Sequence, residues 1–284
     1  MNSIDMPTFY TTRFATDPES FSQWSTEKIR KEMLLNSLFS HDSIQWVYTH
    51  YDRMMVGGAM PGSSPLVLDP VDPQKADFFL QRRELGIINI GGPGAVRVDG
   101  DIHTLHAHDA LYVGQGTESV EFLEGDGDSP CYYLNSTPAH CSYPTETVSK
   151  EDAETVELGS LEESNHRVIH KYLVHSRVET CQLQMGMTTL MTGSVWNTMP
   201  AHIHDRRMEA YLYLNLPDES VVCHFLGTPE ETRHIWVQNR QAVLSPPWSI
   251  HSGAGTRSYS FIWGMGGENL DYGDMDVIEP NQLR

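Results

Sequence analysis

The stretch Asp205-Arg206-Arg207-Met208-Glu209-Ala210-Tyr211-Leu212-Tyr213 decides the fold, because Gln81-Arg82-Arg83-Glu84-Leu85-Gly86-Ile87-Ile88-Asn89 echoes it earlier in the chain. Arg206 follows Arg82 by 124 residues, and downstream Gln241-Ala242-Val243-Leu244-Ser245 echoes Asp109-Ala110-Leu111-Tyr112-Val113 at a step of 132. Such a period is too long for a solenoid and suits two copies of a β-barrel domain. Around both copies run short segments rich in Val, Ile, Tyr and Phe, separated by Gly, Pro, Asp or Asn clusters. They fall at 43–51, 85–90, 95–98, 110–113, 120–123 and 132–135, and again at 180–185, 209–214, 221–226, 233–238, 242–244 and 259–263. Many short strands with regular turn punctuation predict an all-β architecture of sandwich, jelly-roll or barrel type.

Between the copies, residues 145–165 are polar and acidic and predict a connection. The barrels are then expected at 41–144 and 166–284, preceded by a helical segment at 1–40. Within that segment Trp24, Ile29, Met33, Leu34 and Leu38 recur at helical spacing, so one helix is predicted over 19–39, with Ser22 or Ser25 as N-cap.

The chain has 284 residues, of which 39% are hydrophobic and 20% charged, ordinary globular usage that excludes collagenous and wholly disordered chains. Its net charge of −19 repels phosphate backbones and anionic headgroups, which argues against nucleic-acid and membrane partners. A local Arg or Lys can still hold a small anion, since screening confines the global field to a Debye length of about 8 Å. The first twenty residues lack the basic and apolar regions of a secretory signal, and no apolar run approaches the roughly 18 residues of a spanning helix, so a cytoplasmic location is expected. Cys131, Cys141, Cys181 and Cys223 are widely spaced; they form neither a disulfide framework nor a zinc-ribbon pattern, and are expected to be buried or idle thiols.

The richest chemistry lies just before and within the second copy. His202 and His204 are two apart in Pro200-Ala201-His202-Ile203-His204, so an extended strand turns both rings to one face. Glu209 is five residues past His204, an odd step that requires a turn at Asp205-Arg206-Arg207 before a new inward row of Glu209, Tyr211 and Tyr213 begins. His251 follows in Pro246-Pro247-Trp248-Ser249-Ile250-His251-Ser252-Gly253, a corner stiffened by proline. An isolated His-x-His also fits paired core or surface histidines, but the added carboxylate and corner imidazole complete a His3Glu shell suited to zinc, iron, manganese or nickel. The first half offers His103, His106 and His108 without either addition. Its repeat register puts Phe78 and Leu80 where His202 and His204 stand, so these histidines are read as structural.

This His-x-His…Glu…His set resembles that of the cupin superfamily, and the two-copy layout resembles a bicupin with a degenerate first barrel. More specifically, YTHYDRMMVGGAMP (48–61), FLQRRELGIINIGG (79–92), DALYVG (109–114), ETCQLQMG (179–186), WNTMPAHIHDRRMEAYLY (196–213), ETRHI (231–235), SIHSGAGT (249–256) and FIWGMGGEN (261–269) resemble the 5-keto-4-deoxyuronate isomerase family, also called 4-deoxy-L-threo-5-hexosulose-uronate ketol-isomerases. The resemblance implies tandem cupin barrels, one Zn2+ per chain on His202, His204, Glu209 and His251, a homo-oligomer of hexamer type, and conversion of an aldehyde uronate to 3-deoxy-D-glycero-2,5-hexodiulosonate in pectin and uronate breakdown.

Such an isomerisation moves hydrogen between adjacent carbons and needs a proton shuttle unless hydride migrates directly. His224 and Tyr259 are candidate bases, with Glu209 a further one, and the sequence does not choose among them. The substrate carboxylate needs a cationic anchor, for which Arg206, Arg207 and Lys171 are candidates. Tyr211, Tyr213, Trp248 and Trp263 either wall a sugar pocket or fill the barrel core. Three rivals share the pattern. They are a 5-deoxyglucuronate isomerase of inositol breakdown, against which the quoted strings argue, a cupin dioxygenase, and a non-enzymatic bicupin binding module.

Overall fold

Alternating apolar residues in the repeated segments build two similar sets of sheets. The computed structural model describes residues 8–125, 129–268 and 271–284, so the first seven residues and Asn269 of the last quoted string lie outside it. The first unit holds a seven-stranded sheet in the order Thr8–Arg13, Ser43–Thr49, Met55–Met60, Tyr132–Pro138, Arg83–Asn89, Ala110–Val113 and Glu146–Val148. Its second sheet runs Leu66–Val67, Val120–Phe122, Gly94–Val98 and Asp101–Leu105.

The second unit repeats the plan. Its seven-stranded sheet runs Glu154–Leu158, Arg167–Leu173, Gln184–Leu190, Ser260–Gly267, Arg207–Leu214, Ala242–Ser245 and Leu34–Leu35. The four-stranded sheet runs Trp196–Asn197, Ser252–Gly255, Val222–Thr228 and Glu231–Val237, and Ala201–Ile203 pairs separately with Asp276–Ile278. Few residues are helical, and no helix among the described residues is long and apolar enough to cross a membrane.

Strand register makes the repeat exact where it matters. Leu85 pairs with Val113 in the first unit as Glu209 pairs with Ser245 in the second. Leu85 and Val113 are fully buried in an apolar cluster that includes Trp46, Phe79, Leu80 and Phe122, so hydrocarbon occupies the place where the second barrel carries a carboxylate. Leu80 is buried and Phe78 half-buried; His103 lies 3.2 Å from Thr147 Oγ1, and His106 is three-quarters exposed beside Asp109.

The units, defined by contacts, are residues up to Arg13 with Ser37–Ala153 and Tyr172–Leu183, and Phe14–Asn36 with Glu154–Lys171 and Gln184–Arg284. This division differs from contiguous segments at 1–40, 41–144 and 166–284 for three physical reasons. Thr8–Arg13 is a strand parallel to Ser43–Thr49, and Leu34–Leu35 pairs with Ala242–Val243 in the other unit's sheet. The acidic 145–165 stretch is not a bare connection: Glu146–Val148 pairs with Ala110–Tyr112, and Glu154–Leu158 with Arg167–Lys171. The chain then returns to the first unit at 172–183, where buried Glu84 receives the backbone N–H groups of Cys181, Gln182 and Leu183 at 2.7–2.8 Å.

One helix over 19–39 is also corrected. Two short helices form instead, α1 (Pro18–Ser22), capped by Asp17, and α2 (Thr26–Met33), capped by Ser25. The extended backbone of the Ser25 cap interrupts the first helix, and sheet pairing of Leu34 ends the second, so tertiary pairing overrides helical periodicity there.

Candidate metal centre

His202 lies on the short Ala201–Ile203 strand and His204 just after it, with ring centroids 4.7 Å apart. Asp205 and Arg206 make the turn that the odd spacing to Glu209 requires, after which Arg207–Leu214 enters the central sheet. Glu209 sits opposite Ser245 and Met265 and is 4% exposed, while His251 arrives from the proline corner at 1% exposure. One ligand-type atom from each of His202, His204, Glu209 and His251 lies within 4.8 Å of the others, so the four residues form a possible metal site.

The hydrogen-bond network tests whether a cation fits. His204 Nδ1 lies 2.8 Å from the Asp274 carbonyl, which can only accept, so Nδ1 carries a proton and, in the neutral ring that a ligand needs, Nε2 is bare. The Ser245 hydroxyl donates to Ser249 O at 3.3 Å, leaving its oxygen to accept from His251 Nδ1 at 3.1 Å, so that in a neutral ring His251 Nε2 is bare as well. These two nitrogens face Glu209 Oε2 at 3.2 and 2.9 Å, and His251 Nε2 faces His202 Nε2 at 2.9 Å. Lone pairs converging this closely repel unless a cation stands among them, and three neutral nitrogens with one carboxylate are a donor set for a first-row divalent ion.

The electrostatics agree. Burial, reinforced by the other two histidines, holds His202 well below its ordinary value, in the neutral form a ligand needs. For Glu209, burial works upward, but positive charge and hydrogen bonds from His251 and His204, in the place a bound cation would take, outweigh it and hold the carboxyl well below the usual range.

His202, His204 and Glu209 form part of the wall of a cavity of about 310 Å³ within the second unit. Arg167, Ile169 and Lys171 alternate onto the cavity side of one strand, and Thr198, Tyr211 and Tyr272 bring hydroxyl-bearing side chains. Lys171 Nζ is 2.7 Å from Glu154 Oε1 and 4.7 Å over the Tyr272 ring. The Tyr211 and Thr198 hydroxyls are 3.0 Å apart. Burial raises Tyr211 well above its ordinary value and pushes Tyr272 up to about 12, so both remain proton donors.

The remaining sequence candidates are placed as follows. Arg207 lines the cavity, but its guanidinium donates to the carbonyls of Asp271, Tyr272 and Asp274 at 2.7–3.2 Å and so clamps the C-terminal segment. Arg206 faces outward and pairs with Glu268 and Asp274, both at 3.3 Å. His224 and Tyr259 lie outside the cavity lining: Tyr213 OH meets His224 Nδ1 at 2.7 Å, and Tyr259 donates to Gly253 O at 3.3 Å. Trp263 lines the cavity, whereas Trp248 donates to Thr16 O. Arg167, Thr198 and Tyr272 carry no sequence signal of a role here, because they are far apart in the chain and only the folded second unit brings them to one cavity.

Burial pushes His224 down to about 3, so the folded protein keeps it neutral while the unfolded chain protonates it near 6.5. Below pH 6.5 the unfolded state therefore binds the extra proton, and stability falls as pH falls toward the folded value. In chelator, wild type is expected to lose on the order of 2 kcal/mol between pH 7 and pH 5 through this group. Urea midpoints for His224→Gln should show that much less acid sensitivity; identical acid losses for both proteins would contradict the assignment.

The described geometry defines a two-barrel, cupin-like protein with a possible His3Glu metal centre in its second barrel. Consistent with that class, residues 33–278 match the model of the KduI/IolB family, and the chain belongs to that family. It is 56% identical over 280 residues to a 4-deoxy-L-threo-5-hexosulose-uronate ketol-isomerase of Formosa agariphila, covering 98% of this chain and all of that one. A protein of the same name from Bacteroides fragilis is 55% identical over 95% of this chain and 97% of its own length. Among solved structures, an IolB-like protein from Salmonella typhimurium superposes with a TM-score of 0.66 at 16% identity, over 79% of this chain and 87% of that one. Lactobacillus farciminis oxalate decarboxylase gives a TM-score of 0.55 at 10% identity, over 81% and 80%. These two similarities concern the fold.

Proposed function

We propose that this chain is a zinc-dependent, cytoplasmic aldose–ketose isomerase that converts 4-deoxy-L-threo-5-hexosulose uronate to 3-deoxy-D-glycero-2,5-hexodiulosonate in pectin and uronate breakdown. The observation that carries this reading is the cavity itself, whose lining brings His202, His204 and Glu209 of the His3Glu cluster together with the cations Arg167 and Lys171. Near-full-length identity to named ketol-isomerases supports the substrate class.

His202, His204, Glu209 and His251 would hold the ion. A bound divalent cation supplies Lewis-acid stabilisation of the negative charge that develops on the reacting carbonyl oxygen. Arg167 and Lys171 bind the substrate carboxylate; both lie on one strand face, and Lys171 is steadied by Glu154 and the Tyr272 ring. The Tyr211 hydroxyl, hydrogen-bonded to Thr198, holds and moves the proton at the reacting oxygen. Outside the cluster, the described titratable groups lining the cavity are cations or phenols, so proton donation at the reacting oxygen falls to Tyr211, while His224 and Tyr259 lie outside the lining. His224 then fixes the Tyr213 layer behind it. The protein is further proposed to work as a homo-oligomer, supported by half-exposed Phe9 and Tyr10 on the edge strand of the first unit's large sheet.

Purified protein given the uronate should form the ketose, seen by product NMR. Lys171→Met and Arg167→Met should each raise KM about 10- to 100-fold with kcat changed only a few-fold, the loss of one charge-assisted contact. An unchanged KM in both variants would remove these cations from the site.

A further inference from the structure

We infer that the first unit carries a second, sulfur-based metal site, in which His140, Cys141 and Cys181 bind one thiophilic divalent ion of the zinc or cadmium class. An imidazole nitrogen and the two Sγ atoms all lie within 4.8 Å of one another. The two sulfurs are 3.5 Å apart. A disulfide would need about 2.05 Å, whereas two thiolates on a tetrahedral ion at about 2.3 Å stand roughly 3.8 Å apart. The observed spacing is near the second figure and needs only a small adjustment.

Both sides of the pair are held by backbone. His140 and Cys141 directly follow the Tyr132–Pro138 strand and Ala139, while Cys181 lies on the segment that returns to this unit. Cys181 N donates to buried Glu84 Oε2 at 2.7 Å, its two successors donate to Oε1, and Gln182 Nε2 reaches Pro138 O at 2.8 Å. The Cys181 thiol itself lies 3.3 Å from Cys141 O. Such fixed backbone lowers the ordering cost that a ligand set on free loops would incur.

Access is graded. His140 is exposed, Cys141 is half-buried and Cys181 is buried, so an ion enters from the imidazole side and meets the sulfurs last. Binding exchanges two thiol protons for two metal–sulfur bonds, releasing the protons to solvent, and no oxidant is consumed. Three protein donors leave the fourth position to water. The ion would cross-link residues 140–141 to 181 across a 40-residue span and so fasten the returning segment. The donor set differs from the sulfur-free His3Glu cluster, so soft ions discriminate between the two.

The test is a titration of the reduced full-length protein with cadmium chloride, read by the thiolate-to-metal charge-transfer absorption that the His3Glu cluster does not produce. The expected result is a band saturating at one sulfur-bound ion per chain, abolished in Cys141→Ser and Cys181→Ser, and requiring at least tenfold more cadmium in His140→Ala. Cys131→Ser and Cys223→Ser should leave the band intact, and isomerase turnover of zinc-loaded His140→Ala should match wild type. No band, or one that survives Cys141→Ser, would overturn the site. So would a Cys141–Cys181 disulfide found by mapping an unreduced digest of the purified protein, which would make the pair a covalent cross-link instead. Should Cys181→Ser fail to fold, the rim variants at 140 and 141 decide the matter.

Discussion

Glu209→Gln should lower kcat/KM by about a thousandfold or more and strip the purified protein of its metal, while leaving the urea midpoint in chelator unchanged or raised. Two imidazole nitrogens, bare in the ligating form of His204 and His251, face this carboxylate at 3.2 and 2.9 Å. The proposed cation would reconcile these lone pairs. A glutamine amide at the same place donates N–H groups to them, so the cluster becomes satisfied without an ion and the only anionic donor is gone. Removing one preorganised electrostatic group commonly costs about 10² to 10³ in rate, and loss of the ion adds to it. Metal content by elemental analysis and steady-state kinetics check both halves. Activity retained within tenfold would contradict the role given to Glu209.

Glu84→Gln should destabilise the protein by about 3 kcal/mol or more, the largest stability effect expected of any single polar change in the first unit. The Glu84 carboxylate is fully buried and accepts five hydrogen bonds: Tyr112 OH and Cys181 N on one oxygen, Thr137 Oγ1, Gln182 N and Leu183 N on the other. An amide turns one of those oxygens into a donor facing donors, whichever way it is flipped. At least two groups then lose their acceptor in a buried setting, where each unsatisfied group costs about 1–3 kcal/mol. Urea unfolding at pH 7 gives the comparison, and a midpoint within experimental error of wild type would contradict the account.

The contrast between these two carboxylates shows what a linear sequence conveys. Glu209 was legible because His202, His204 and His251 announce a donor set, and the two-residue period of a strand needs only one turn at Asp205-Arg206 to bring them together. Glu84 was not, although it belongs to the same repeat, because its partners at 181–183 reach it only after the chain leaves the first unit and returns. The same detour hid Cys181 beside Cys141. Barrel strands were legible wherever Val, Ile and aromatic residues alternate between turns, as at Ala110–Val113. The segment 180–185 was placed too early, since the strand runs Gln184–Leu190 and residues 181–183 are held by Glu84 instead of a neighbouring strand. Arg206 and Arg207 are adjacent in sequence and look equivalent, yet Arg207 begins the central strand and is buried among backbone carbonyls, whereas Arg206 stays in the turn, exposed to Glu268 and Asp274. Burial of that kind is a property of the assembled sheet.

The proposed uronate ketol-isomerase activity depends on a metal held by His202, His204, Glu209 and His251. The most direct measurement is turnover of freshly prepared 4-deoxy-L-threo-5-hexosulose uronate, with the product followed by NMR, before chelation, after chelation and after zinc is restored. The account predicts that ketose forms, that chelation abolishes its formation, and that zinc brings it back at one bound ion per His3Glu cluster. Ketose formation that persists undiminished in metal-free protein, or its absence from protein carrying the ion at that cluster, would contradict it.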